Sequence, residues 1–259
     1  MLQKLLTSTD LRQLTSFVSP AFFDVMPARK LWSRGRALIT TRARPLYQDA
    51  VKQRATELAR VPLSVRLPSA PTAAVRDPLG ADLTGNATRL VTLYFHQLFS
   101  DTPTLLDLRK ASCRADDTTL VWDPAPWVCS WEPGFLHSLR ALYRGFYADD
   151  DAVFRRALKE LHIDRSEDLF REHFGAEQAG QSFAMRDFVR TFHEVFVRCR
   201  DSNTRLHEDF LPLGVYLATL YDHLDGLAMK VDVRGCFERA QHAGDAPQGN
   251  VSSSVGTRA

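Results

Sequence analysis

Ala87-Thr88-Arg89-Leu90-Val91-Thr92-Leu93-Tyr94-Phe95-His96-Gln97-Leu98-Phe99 is the stretch whose reading decides the fold class. Leu90, Val91, Tyr94, Phe95, Leu98 and Phe99 recur at intervals of three and four, the spacing that gathers side chains on one face of an α-helix. So many large apolar groups in one helix predict deep burial, and a helix buried this way needs other helices around it. The same spacing recurs downstream in Phe135 to Tyr147, in a segment that Asp149 or Asp150 caps and that runs to Leu161, and in one that starts at Ser166-Glu167-Asp168 and ends near Gly175. Phe183 to Arg200 carries Phe188, Phe192, Val195 and Phe196 at helical intervals, and Asp209 to Gly226 follows with Pro212 in its first turn.

Two β-like runs interrupt this pattern. Thr104–Leu108 and Thr118–Trp122 flank the polar Ala115-Asp116-Asp117, which predicts a small hairpin across 104–122. Upstream, Pro62, Pro68, Pro71 and Pro78 punctuate a stretch that reads as a linker. The expectation is a mainly α protein with one small β-hairpin. It divides into a basic helical N-terminal segment (1–61), a Pro-rich linker (62–82), a helical main domain (83–240) and a disordered polar tail (241–259).

The chain has 259 residues, 44% of them hydrophobic and 25% charged, with a net charge of +2. That balance is ordinary for a globular protein and gives no specific nucleic-acid signal. Charge is uneven, however: residues 1–66 hold about a dozen Lys and Arg against about four acids. Phe22, Phe23 and Trp32 interleave with Arg29, Lys30, Arg34 and Arg36, so 28–66 is a candidate for peripheral contact with an anionic membrane or an acidic partner. No run approaches the roughly 18 apolar residues of a transmembrane segment. Cys113, Cys129, Cys199 and Cys236 are scattered without a CxxC pair, as expected of reduced thiols in a cytoplasmic protein.

The common chemical fingerprints are missing. No Glu is followed three positions later by His, and there is no HExxH, GxSxG, GxxxxGK[ST] or GxGxxG. His173, His193, His207 and His223 each stand beside an acid, but adjacent helical residues point apart and do not share a metal. Asp149-Asp150-Asp151 reads as a solvated helix start. The dense aromatic group Trp122, Trp127, Trp131 and Phe135, with Pro124 and Pro126 between, is a candidate ligand pocket, with a core plug beneath a crossing loop as the alternative.

Taken in order, a helix ending Gln97-Leu98-Phe99, a strand carrying Leu105-Leu106-Asp107, a turn at Asp116-Asp117 and a strand Leu120-Val121-Trp122-Asp123 form a series. It continues through the Asp-rich bridge Tyr147–Phe154 to a closing helix between Phe210 and Asp232. This series resembles the C-terminal lobe of the AarF/UbiB family of atypical kinases across about residues 87–235. In that family a loop His-Ala-Asp-Pro-His-Pro-Gly-Asn precedes a strand ending Leu-Leu-Asp-Phe-Gly. Here the loop Asp corresponds to Asp107, and Leu105, Leu108, Arg109, Lys110 and Ala111 stand where the flanking His, Pro and Gly belong. Ser112 replaces the metal-binding Asn, and Pro124-Ala125-Pro126 occupies the Asp-Phe-Gly site with Asp123 one position early.

The resemblance implies a kinase-like C-lobe that has lost robust phosphotransfer. Such a pseudokinase acts as a binding or scaffold protein for a protein or lipid-like ligand and requires no cofactor. One alternative is a residual atypical kinase or ATPase using Mg-ATP. Asp107 is then its catalytic residue, Asp123 its metal ligand, and Ser112 a weaker cofactor contact. A second alternative is an unrelated helical module that docks on membranes or partners through its basic segment.

Overall fold

The computed structural model describes residues 20–26, 29, 33–35, 45–68, 82–116, 118–174, 181–225, 227 and 229–244. Its helices are α1 (Pro20–Val25), α2 (Pro45–Leu58), α3 (Leu83–Phe99), α4 (Pro133–Tyr147), α5 (Asp151–Glu160), α6 (Glu167–Phe174), α7 (Met185–Asp201), α8 (Phe210–Leu224) and α9 (Val233–Gly244). The strands are β1 (Val65–Arg66), β2 (Thr104–Leu105), β3 (Cys113–Asp116), β4 (Thr119–Trp122) and β5 (Val128–Cys129). The protein is mainly α.

α3 is the centre of the core. Asp82 caps it by accepting from the Gly85 N–H at 2.9 Å, and Leu90, Leu93 and Leu98 are wholly buried. Each such leucine contributes roughly 1.5–3 kcal/mol relative to an exposed one. Around α3 lie α9, α4 and α8. The Tyr94 ring stacks on Tyr216 of α8 at 4.7 Å, and Phe95 meets Phe237 of α9 edge-on at 5.5 Å. α4 and α5 pack so closely that Gly145 lies against the backbone of Phe154.

The hairpin has a different first strand from the one expected. β3, not Thr104–Leu108, pairs with β4, in the register Cys113↔Trp122 to Asp116↔Thr119. That register leaves a two-residue connection, which suits the twist of paired strands and costs little loop entropy. Thr104 and Leu105 instead pair with Cys129 and Val128, so β2 and β5 form a separate ribbon.

The described N-terminal residues pack on this domain. The described part of the expected linker, 62–68, contains β1, which runs parallel to β4 with Val65 opposite Leu120. Residues 69–81 lie outside the described residues. Phe22 of α1 is buried against Phe196 of α7 at 5.0 Å, and the Leu206 N–H donates to Val25 O at 3.1 Å. In α2, Arg54 is wholly buried. At the other end, residues 241–244 continue α9 rather than beginning a disordered tail, and 245–259 fall outside the described residues.

Asp150 caps α5 through Val153 N at 3.0 Å, and Asp149 pairs with Arg234 at 2.9 and 3.0 Å. The acidic bridge is therefore a helix start, as its sequence suggested. Among the described residues no helix is long and apolar enough to cross a membrane.

Candidate functional site around Asp107

β2 delivers the segment Leu105 to Ser112 onto the side of α8, and side chains from α3 and α8 hold its backbone. The Gln97 amide accepts from Leu105 N at 3.0 Å and donates to Leu105 O at 3.2 Å. Its NH₂ also reaches Tyr216 Oη at 2.8 Å. From α8, Thr219 Oγ1 accepts from Leu108 N at 3.2 Å and lies 2.7 Å from Leu106 O. One turn on, His223 Nδ1 stands 2.8 Å from Leu108 O. A carbonyl only accepts, so Nδ1 carries the proton and Nε2 is the bare nitrogen. Nε2 is buried without a hydrogen-bond partner among the described residues. Burial pushes the imidazole down to about 4, against the opposing pull of the Leu108 hydrogen bond.

This scaffold presents Asp107, which is wholly buried. Its Oδ1 accepts from Arg109 N at 3.1 Å and Arg109 Nε at 2.8 Å. Oδ2 accepts from Arg109 Nη2 at 3.2 Å, from Ala125 N at 2.8 Å and from the Ser112 hydroxyl. The Asp107 carbonyl accepts from Trp122 Nε1 at 2.6 Å, and Ser112 O accepts from Asp123 N at 2.7 Å. The Arg109 guanidinium lies over the Trp127 ring, 4.3 Å from its centre, a cation–π contact that holds it from below.

Asp107, Ser112 and Ala125, three residues singled out in the sequence, thus meet through hydrogen bonds. Asp123 lies beside them, exposed to solvent. Tyr47 of α2 adds to this corner by donating to Pro124 O at 2.8 Å. Burial and then the charges of Asp123 and Asp107 push its phenol up to about 12. Behind the loop, burial raises the Asp222 carboxyl, and Arg109 and the Lys110 N–H offset only part of that.

A carboxylate offers about four lone-pair positions, and Asp107 already has five donors. It has no exposed oxygen with which to take a proton or bind a cation. The Ser112 proton is committed to it as well. Mg²⁺ in a phosphoryl-transfer site needs carboxylate or amide oxygens that face the phosphates. Of Asp107, Ser112 and Asp123, only Asp123 has that exposure, and no group of three metal-ligating side chains occurs among the described residues. The side chains present do not fit Mg-ATP, and no phosphoryl step follows from them.

The four candidate pocket aromatics separate into two pairs. Trp122 is wholly buried with its indole N–H spent on Asp107, and Trp127 lies under Arg109. Trp131 stacks on Phe135 at 6.0 Å and donates to Thr104 Oγ1 at 2.7 Å, while Phe135 continues to His207 and Phe210. Trp122 and Trp127 pack at the loop, and Trp131 and Phe135 at the start of α4. A cavity of about 30 Å³ lies elsewhere, among Tyr94, Tyr143, Tyr147, His173, Gln181 and Tyr221. It has room for a water or two.

Of the residues expected to face a membrane, Arg29 is exposed. Phe22 is buried, and Arg34 pairs with the buried Asp209. Side-chain placements of Phe23, Lys30, Trp32 and Arg36 lie outside the described residues. No family model matches the chain, and no curated protein is recognisably similar to it.

Sequence reasoning gave site roles to Asp107, Ser112 and Asp123, and none to Arg109, Gln97, Thr219, His223 or Tyr47. Gln97 carried a signal, an amide inside an apolar helical face, which must find buried partners. Thr219 and His223, four apart on α8, carried one too. Nothing in the sequence shows that Arg109 turns back on Asp107.

Proposed function

We propose that this chain is a degenerate kinase-like protein that has given up phosphotransfer and serves as a binding or scaffold protein. The observation that carries this reading is the saturation of Asp107. Arg109, Ser112 and the Ala125 N–H use every position at which a base would meet its substrate. The convergence of Asp107, Ser112 and the Pro124–Pro126 loop supports a kinase-like ancestry. The Arg109 clamp supports its inactivity. Four buried free thiols, Cys113, Cys129, Cys199 and Cys236, support a reducing, cytoplasmic setting.

The test is thermal unfolding with ATP and ADP, each with and without Mg²⁺, on the wild type and on Asp123→Asn. A ligand at a hundredfold excess over its Kd adds about 2.7 kcal/mol of stability. For a chain of this size that is a rise of roughly 5–10 °C in Tm. The proposal expects no Mg-dependent rise with either nucleotide. A Mg-dependent rise that Asp123→Asn removes, together with phosphate release, would replace this reading with that of a residual kinase or ATPase.

A further inference from the structure

The cavity of about 30 Å³ lies where α3, α4, α6 and α8 meet, with Val233 of α9 and the segment carrying Gln181 and Phe183 closing its remaining wall. That segment is fastened by a two-residue bridge, in which Gln181 and Val231 exchange hydrogen bonds of 2.8 and 2.9 Å. Inside, the Tyr94 and Tyr143 hydroxyls are 2.6 Å apart and satisfy each other. Other polar groups of the lining keep spare capacity. His173 Nδ1 lies a long 3.4 Å from Tyr221 Oη. Among the described residues, His173 Nε2, the Tyr147 hydroxyl and the Gln181 carboxamide have no hydrogen-bond partner.

No Asp, Glu, Lys or Arg lines this cavity. Its titratable groups are neutral at pH 7, because burial pushes the Tyr94, Tyr143, Tyr147 and Tyr221 phenols up and the His173 imidazole down to about 4. An entering ion would lose its hydration and meet no countercharge. A neutral molecule with one hydroxyl would keep its hydrogen bonds and lay its carbon atoms on the ring faces of Phe95, Phe174 and Phe183.

Size narrows the class further. Space for a water or two corresponds to roughly two to four non-hydrogen atoms. A second cavity of about 10 Å³, lined by Leu139, Leu142 and Phe192, shares Tyr143, His173 and Leu217 with the first. It is apolar, and the space on either side of the shared wall lets the His173 ring shift to admit an alkyl end.

We infer that the larger cavity is a binding site for a short neutral alcohol of two or three carbons, with its hydroxyl among Tyr147, His173 and Gln181 and its alkyl end toward the smaller cavity. This does not rest on the kinase-like reading, since no residue of the Leu105–Ser112 segment lines either cavity.

The experiment titrates the ¹⁵N-labelled full chain with 1-propanol, and separately with sodium propionate and propylammonium chloride at matched ionic strength, and follows amide chemical shifts. With 1-propanol the expected result is a saturating change confined to the lining residues, with a Kd on the order of 10 mM. Neither ion is expected to give a saturating change. Tyr147→Phe and Gln181→Ala each remove one free polar group, and at least one of them is expected to weaken 1-propanol about fivefold. Val233→Phe, at a partly buried position of the wall, fills the space and is expected to abolish the response. Val233→Met takes its place if the phenylalanine variant does not fold. Shifts that stay linear to about 100 mM, tenfold above that Kd, an equal response to either ion, or a response kept in the filled variant overturns the inference and leaves a cavity for water only. Unchanged affinity in both polar variants overturns it as well.

Discussion

Arg109 turns back two residues to grip Asp107 at both carboxylate oxygens, with Nε 2.8 Å from Oδ1 and Nη2 3.2 Å from Oδ2. The pair is nearly desolvated, since the Asp107 side chain is 0% exposed and that of Arg109 12%. Removing one partner of such a pair strands the other charge, at a cost of about 3–5 kcal/mol. Arg109→Met is therefore expected to lower unfolding free energy by about 3 kcal/mol, the lower end because Arg109 retains some exposure. Arg109→Lys keeps the charge but loses the fork and is expected to fall between. Urea unfolding of the three proteins checks the order. A methionine variant as stable as the wild type would show that the clamp is not the anchor of this loop.

Three histidines set the acid limit of the fold. His96 on α3, His173 on α6 and His223 on α8 are each pushed down to about 4, and burial is the leading cause for all three. Around His96, the Arg54 charge pushes the same way and Glu57 opposes; around His173, Glu172 opposes; around His223, Lys110 pushes the same way and the Leu108 hydrogen bond and Asp107 oppose. In the unfolded chain all three titrate near 6.5. Between about 6.5 and 4 the unfolded state therefore binds more protons, and stability falls as pH falls through that window. Above 6.5 none of them contributes a slope. The urea midpoint is expected to drop steadily from pH 6.5 to 4.5. His223→Asn, whose amide can still donate to Leu108 O, is expected to flatten that slope by about one proton. An unchanged slope in a well-folded variant would remove His223 from the account.

How much of this was legible in the sequence depended on the range of the interaction. The periodicity of Leu90 to Phe99 declared the central helix, because a helical face is written into local spacing. Asp107 and Ser112 were legible as a pair, because the resemblance preserved their separation. The hairpin was half legible. Thr119–Trp122 was visible as a strand, but the four residues of β3 contain Arg114 and Asp116 and no alternation that would mark them. Arg54 was not legible at all. A basic residue on a short helix reads as a solvated face, yet here Glu57 at 2.6 Å and the carbonyls of Thr102 and Pro103 draw it inside. Partners that lie 48 and 49 residues apart in the chain leave no pattern in a local window.

Two helical glycines separate local propensity from packing. Glycine inside a helix ordinarily costs about 1 kcal/mol relative to alanine. At Gly214 of α8 an added Cβ meets nothing within 4 Å, so Gly214→Ala is expected to stabilise by about 0.5–1 kcal/mol. At Gly145 of α4 the same Cβ would lie 2.5 Å from Phe154 N and 2.8 Å from Phe154 Cα. Those atoms are backbone at the α4–α5 crossing and cannot rotate away, so the helices must separate. Gly145→Ala is therefore expected to destabilise by about 1–3 kcal/mol despite its better propensity. Urea unfolding of the two variants should shift the midpoint in opposite directions. If both moved upward, the close crossing of α4 and α5 would have to be relaxed in solution, and the position of the Asp150 cap with it.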